Sequence, residues 1–202
     1  MVSVTPVVID LETTKIIPTV SFKYDANATA KTKEALASLI TTAINNYSTT
    51  SLEKFEQVFR YSPFTTLIDE ADPAILSNIT TIKMSKTFTP TLASALKYTT
   101  SFSNKLYHPY DGYNKILTGV VAGGILSSSG FTITGDANTY YLEDDGSGIV
   151  NAYYISGTSK VYLTSGSVGT IDYTTGDVVL TKINIGSVGN VCLLYTSDAA
   201  DE

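Results

Sequence analysis

Thr32-Lys33-Glu34-Ala35-Leu36-Ala37-Ser38-Leu39-Ile40-Thr41-Thr42-Ala43-Ile44-Asn45-Asn46-Tyr47 is the stretch on which the fold turns. Leu36, Leu39, Ile40, Ala43, Ile44 and Tyr47 recur at the spacing of one helix face, so a helix is expected from Thr32 to the pair Asn45-Asn46. Upstream, Val4–Tyr24 reads as extended. Val7, Val8, Ile9 and Leu11, then Ile16, Ile17, Val20 and Phe22, are β-branched or apolar with polar neighbours, and Pro6 and Pro18 place them at a sheet edge or at strand starts. Downstream, Thr50 with Glu53 makes a capping box for a second helix that would bury Leu52, Phe55 and Phe59. Ser62-Pro63 stops that helix and begins a further turn, with Ser62 as N-cap, through Phe64, Leu67 and Ile68 to a break at Asp72-Pro73. Ile75–Phe88 then reads as a strand with Ile82 and Met84 on one face. The order strand, helix, helix, strand over residues 1–92 predicts an α+β unit.

After Pro90 the composition turns to Gly, Ser, Thr and Tyr, which sets a boundary near Thr91–Ala95 and a β-rich antiparallel module over residues 93–191. Phe131-Thr132-Ile133-Thr134 alternates as a strand. One hairpin is expected between Tyr140-Tyr141-Leu142 and Ile149–Tyr154, through a turn where Asp145-Gly146 supplies positive φ. A second joins Thr170–Tyr173 to Asp177–Thr181 through Thr174-Thr175-Gly176.

Composition bounds the function classes. The 202 residues are 43% hydrophobic and only 16% charged, which argues for a folded chain. No apolar run reaches the roughly 18 residues of a membrane span, and Met1–Glu12 has no cationic start or apolar centre of a secretory signal. A net charge of −6 without any Lys/Arg cluster disfavours a nucleic-acid footprint.

The residue types that could carry chemistry lack partners. His108, the single histidine, is flanked by Tyr107, Pro109 and Tyr110, so it reads as part of a turn. Asp69, Glu70 and Asp72 crowd a helix end, where solvated carboxylates are ordinary. Asp144-Asp145-Gly146-Ser147-Gly148 lacks the alternating ligands and closing glutamate of a calcium loop. Gly119, Gly123 and Gly124 are followed by no Lys-Ser or Lys-Thr of a phosphate loop. Three glycosylation-type triplets, at Asn27, Asn46 and Asn78, stand without an export signal. The expectation is no catalytic residue, no cofactor and no metal.

Cys192–Glu202 resembles the translation of a sequencing adapter, as expected of a metagenomic fragment, and is set aside from fold reasoning. Without Asp198, Asp201 and Glu202 the net charge is halved, and the single cysteine drops out of any thiol argument.

Leu39–Tyr47, Ser51–Phe55, Phe59–Phe64, Leu67–Asn78 and Ile82–Pro90 resemble, in order and spacing, the baseplate wedge proteins of contractile-tailed (myovirus) bacteriophages, and more distantly the J-like baseplate proteins. Later segments, His108–Gly112, Leu126–Phe131 and Tyr141–Gly148, are similar to the β-rich part of that family, so the resemblance spans most of residues 4–190. It implies a structural protein of the phage tail, located in the virion and assembled in the host cytoplasm. It also implies a homodimer within a ring around the tail hub, contacts with other wedge and hub proteins, and participation in baseplate switching and virus tail assembly. Catalysis, cofactor, nucleic acid, membrane and small-molecule substrate form no part of that role. Wedge proteins are several hundred residues long, so sequence is expected to be missing at both ends.

Tyr140, Tyr141, Tyr153, Tyr154, Tyr162 and Tyr173 are the interface candidates, since tyrosine offers large contact area at low entropic cost. The same residues could instead line the hairpins' own core or pair across strands. Exposed tyrosines beside Asp and Asn would also suit a tail-associated glycan-binding β-domain, which is the rival function.

Overall fold

A computed structural model of the chain describes residues 13–54, 57–112, 124–188 and 192–196. The expected extension over Val4–Leu11, Phe55, Gly119 and Gly123 lie outside the described residues.

Strand β1 (Thr14–Tyr24) pairs antiparallel with β2 (Ile75–Phe88) from Thr14 opposite Lys86 to Phe22 opposite Asn78. Between them come α1 (Lys33–Tyr47) and α2 (Tyr61–Asp69). Thr32 caps α1, its Oγ1 accepting from Ala35 N. One core forms where the helices cover the sheet: Ile40, Phe59, Phe64, Ile68, Ile75 and Ile82 are buried together, with Ile16, Val20 and Phe22 of β1 packed against them.

Two helix boundaries differ from expectation. Asn45-Asn46 does not end α1, which runs to Tyr47 and on into a π-helical turn, Ser48–Leu52, closed by Glu53 N donating to Ser48 O. Thr50 therefore does not cap a new helix: its hydroxyl, like that of Thr49, bonds back to a carbonyl of α1, at Asn46. The second helix begins only at Tyr61, with Arg60 rather than Ser62 as its N-cap, and Pro63 sits in its first turn, where a backbone donor is dispensable. Phe59, expected on a helix, is buried from an irregular segment through an edge contact with Phe64 at 5.3 Å.

The remainder is antiparallel β: β3 (Ala95–Ser101), β4 (Leu126–Ser128), β5 (Phe131–Ile133), β6 (Thr139–Asp144), β7 (Ile149–Ser156), β8 (Ser159–Tyr162), β9 (Gly169–Asp172), β10 (Asp177–Val188) and β11 (Cys192–Thr196). β5 pairs with β6, β6 with β7, β7 with β9, β9 with β10, and β10 again with β5. The pairings thus close on themselves like a barrel around a second core that includes Phe131, Tyr140, Leu142, Val150, Ile171, Val178, Leu180 and Ile185. β3 lies on the other edge of β10, and β8 on β7. Both hairpin turns use glycine at positive φ, Gly146 and Gly176.

Residues 192–196, set aside on sequence, form β11 between β2 and β4 and so continue one sheet from the helical unit into the barrel. The architecture is α+β, with two helices on one end of a long antiparallel sheet.

Candidate functional site

Alternation along β6 and β7 divides the tyrosines between two faces. Tyr140, only 3% exposed, faces the barrel core, stacks edge-on against Tyr154 at 5.4 Å and donates its hydroxyl to Asp136. Burial and that carboxylate push the Tyr140 phenol up to about 12. Tyr154 and Tyr173 also pack against the barrel core. Tyr140 belongs to the interior, and of the six candidates only Tyr141, Tyr153 and Tyr162 share an outer face.

There, Tyr141 lies opposite Tyr153 with ring centroids 5.8 Å apart, and Tyr153 opposite Tyr162 at 5.9 Å. Gly130 makes room for the first of them, since a Cβ there would come 3.3 Å from the Tyr141 ring and 2.6 Å from Thr139 Cγ2. Beneath the row sits Glu143, whose side chain is 6% exposed. Its carboxylate accepts from Lys160 Nζ and from the Tyr162 hydroxyl, each at 2.5 Å, and the ammonium also lies 4.5 Å from the Tyr153 ring centroid. The Tyr162 ring is half exposed while its hydroxyl is tucked under; desolvation, then the Glu143 hydrogen bond, raise its pKa. The Tyr153 phenol is raised by desolvation first and Glu143 second. Glu143 and Lys160 were missed on sequence, where Glu143 read as the start of a turn. The signal was period two, which puts residues 141 and 143 on one face.

The other polar cluster fastens the turn of the same hairpin. Asp144, 4% exposed, accepts from Leu126 N, Gly146 N and the Tyr173 hydroxyl, the last at 2.6 Å. Desolvation and this carboxylate raise the Tyr173 pKa. A Cβ on Gly124 would lie 1.9 Å from Asp144 Oδ1, so the chain passes there only as glycine. His108 stacks on Tyr173 at 3.9 Å and 10°, and its Nε2 lies 2.7 Å from Gly146 O. A histidine, a phenol and a carboxylate do meet here, but the imidazole is bonded to a backbone carbonyl and the phenol and carboxylate to each other. A depression of about 470 Å³ beside them is lined by Lys105, His108, Asp111, Asp172 and Asp177.

Asp69 accepts from Asn78 Nδ2, while Asp72, 5% exposed, accepts from Lys31 Nζ and Ala74 N. The Lys31 hydrogen bond, then Ala74 N, hold the Asp72 carboxyl below its ordinary value. Asp69 thereby ties the end of α2 to β2, and Asp72 ties the turn leading into β2 to Lys31 ahead of α1. Among the described residues no group of three or more His, Cys, Asp or Glu is disposed to bind a metal.

In both clusters the polar groups named are engaged in internal fastening. Residues 14–87 match the family described as Baseplate structural protein gp6, C-terminal domain III. The match begins with β1 and ends within the last residues of β2, taking in both helices and stopping short of the tyrosine hairpins. It supports a phage baseplate protein, with a structural role in the tail baseplate of the virion and contacts to other baseplate proteins. No curated protein matches the chain.

Proposed function

We propose that the chain is part of a baseplate wedge in a contractile tail, self-associating as a homodimer within a ring around the hub and moving with that ring when the baseplate switches. The observation that carries this reading is the family match across β1, α1, α2 and β2. The β module from about residue 93 serves as the contact-bearing part, with Tyr141, Tyr153 and Tyr162 as its outer row. Partners are a second copy and other wedge and hub proteins; nucleic acid, membrane, cofactor, small-molecule substrate and bond-making chemistry have no place in it, and assembly occurs in the host cytoplasm.

Light scattering after gel filtration tests it. Dimers or larger species are expected, reduced to monomer by Tyr153→Ala with Tyr162→Ala; a chain that stays monomeric up to about 100 μM removes self-association. The rival glycan-binding reading draws on the half-exposed Tyr162 ring. It is disfavoured because Glu143, the carboxylate bonded to the Tyr162 hydroxyl, is already engaged by Lys160 as well.

A further inference from the structure

We propose that the outer edge of β1, with the groove between β1 and α1, takes an extended acidic segment of another protein as an added strand. The groove encloses about 490 Å³, with Ile16, Val20 and Phe22 of β1 as one wall and Ile40 and Ile44 of α1 as the other. No β2 residue lines it, so it lies along the side of β1 that has no strand neighbour among the described residues. Ile16, Val20 and Phe22 are only partly buried there, although apolar and facing the helices. A strand laid beside β1 sets every second side chain into this groove and turns the others to the opposite face.

That opposite face selects the partner. Lys15 and Lys23 point outward from β1 and Lys83 from β2, and neither strand contains an Asp or Glu. Carboxylates at the outward positions of the added strand therefore meet these lysines, while apolar residues at the inward positions complete the core. The same lysines argue against a second copy of β1 as the occupant: an antiparallel β1–β1 pair brings Lys15 of one chain toward Lys23 of the other. The inference does not depend on ring assembly.

The probe is a fluorescein-labelled octapeptide alternating valine and aspartate, titrated into the full chain by anisotropy, with a valine–lysine octapeptide as control. The acidic peptide is expected to bind about tenfold or more tighter than the basic one, and to slow hydrogen exchange of the β1 amides not bonded to β2. Lys15→Glu with Lys23→Glu, both on an exposed face, and Ile44→Asp in the groove are each expected to weaken it about tenfold. Should Ile44→Asp unfold the chain, the lysine variant still decides. Equal binding of the two peptides, or binding that leaves β1 exchange unchanged, overturns the proposal. So does protection of that edge without peptide, whether in the monomer, where the chain covers its own edge, or only in a dimer, where a second copy does.

Discussion

Lys160→Met tests whether the outer face of the tyrosine hairpins is held by a buried charge pair. The Lys160 side chain is 14% exposed and that of Glu143 6%, so deleting the ammonium strands a carboxylate with the Tyr162 hydroxyl as its remaining side-chain donor. Breaking a buried pair in this way costs about 3–5 kcal/mol, against about 0–1 kcal/mol for an exposed one. With both groups largely out of water, a loss near the lower bound, about 3 kcal/mol, is expected. For a chain of this size that lowers the melting temperature by about 6–12 °C. The loss arises from an uncompensated charge rather than from missing attraction. Removing all three polar partners, in Glu143→Leu with Lys160→Met and Tyr162→Phe, should therefore return the protein to within about 1 kcal/mol of the wild type. Urea unfolding followed by circular dichroism measures both variants. A Lys160→Met protein within about 0.5 kcal/mol of wild type, or a triple variant no better than the single one, refutes the reasoning.

Three further outcomes follow from the same geometry. Phe64→Ala empties the centre of the helical core, where Phe64 meets Tyr47 and Phe59 edge-on, and should cost about 3–5 kcal/mol in the same urea assay. Gly169→Ala puts a Cβ 2.2 Å from Val179 O and 3.0 Å from Leu180 Cα, both backbone, so it should part β9 from β10 and be read as lost amide protection at Gly169–Asp172. The Asp72 carboxyl is depressed below its ordinary 3.8 by Lys31, so its stabilisation is complete above that value and is lost as pH falls through the depressed one. Lys31→Met should accordingly be less stable at pH 6 and lose less on descending from pH 6 to 2, measured as melting temperature against pH; parallel profiles for the two proteins would contradict it.

Where local spacing decides structure, the sequence was legible. The 3.6 period of Leu36, Ile40 and Ile44 sets α1, the run Ile75–Phe88 appears as β2 with those bounds, and Gly146 and Gly176 mark the turns of both hairpins. The second helix was misplaced because Thr50 can cap forward or bond backward with equal local chemistry, and only the continuation of α1 settles which.

The face assignment of the tyrosines lay beyond local pattern for a plain reason. Tyr140-Tyr141 and Tyr153-Tyr154 present the same side chain at successive positions, so period two says that the two faces differ but not which is inside. Closure of β5, β6, β7, β9 and β10 decides it, sending Tyr140 and Tyr154 to the core and leaving Tyr141, Tyr153 and Tyr162 outside with Glu143 and Lys160. The cluster of His108, Asp144 and Tyr173 is of the same kind, assembled from three segments distant in the chain. Sequence by itself determined the helices' and strands' local identity, because backbone preference and hydrophobic period act between near neighbours. Only the tertiary structure decided which residues face outward, because burial is a property of the pairing between distant strands.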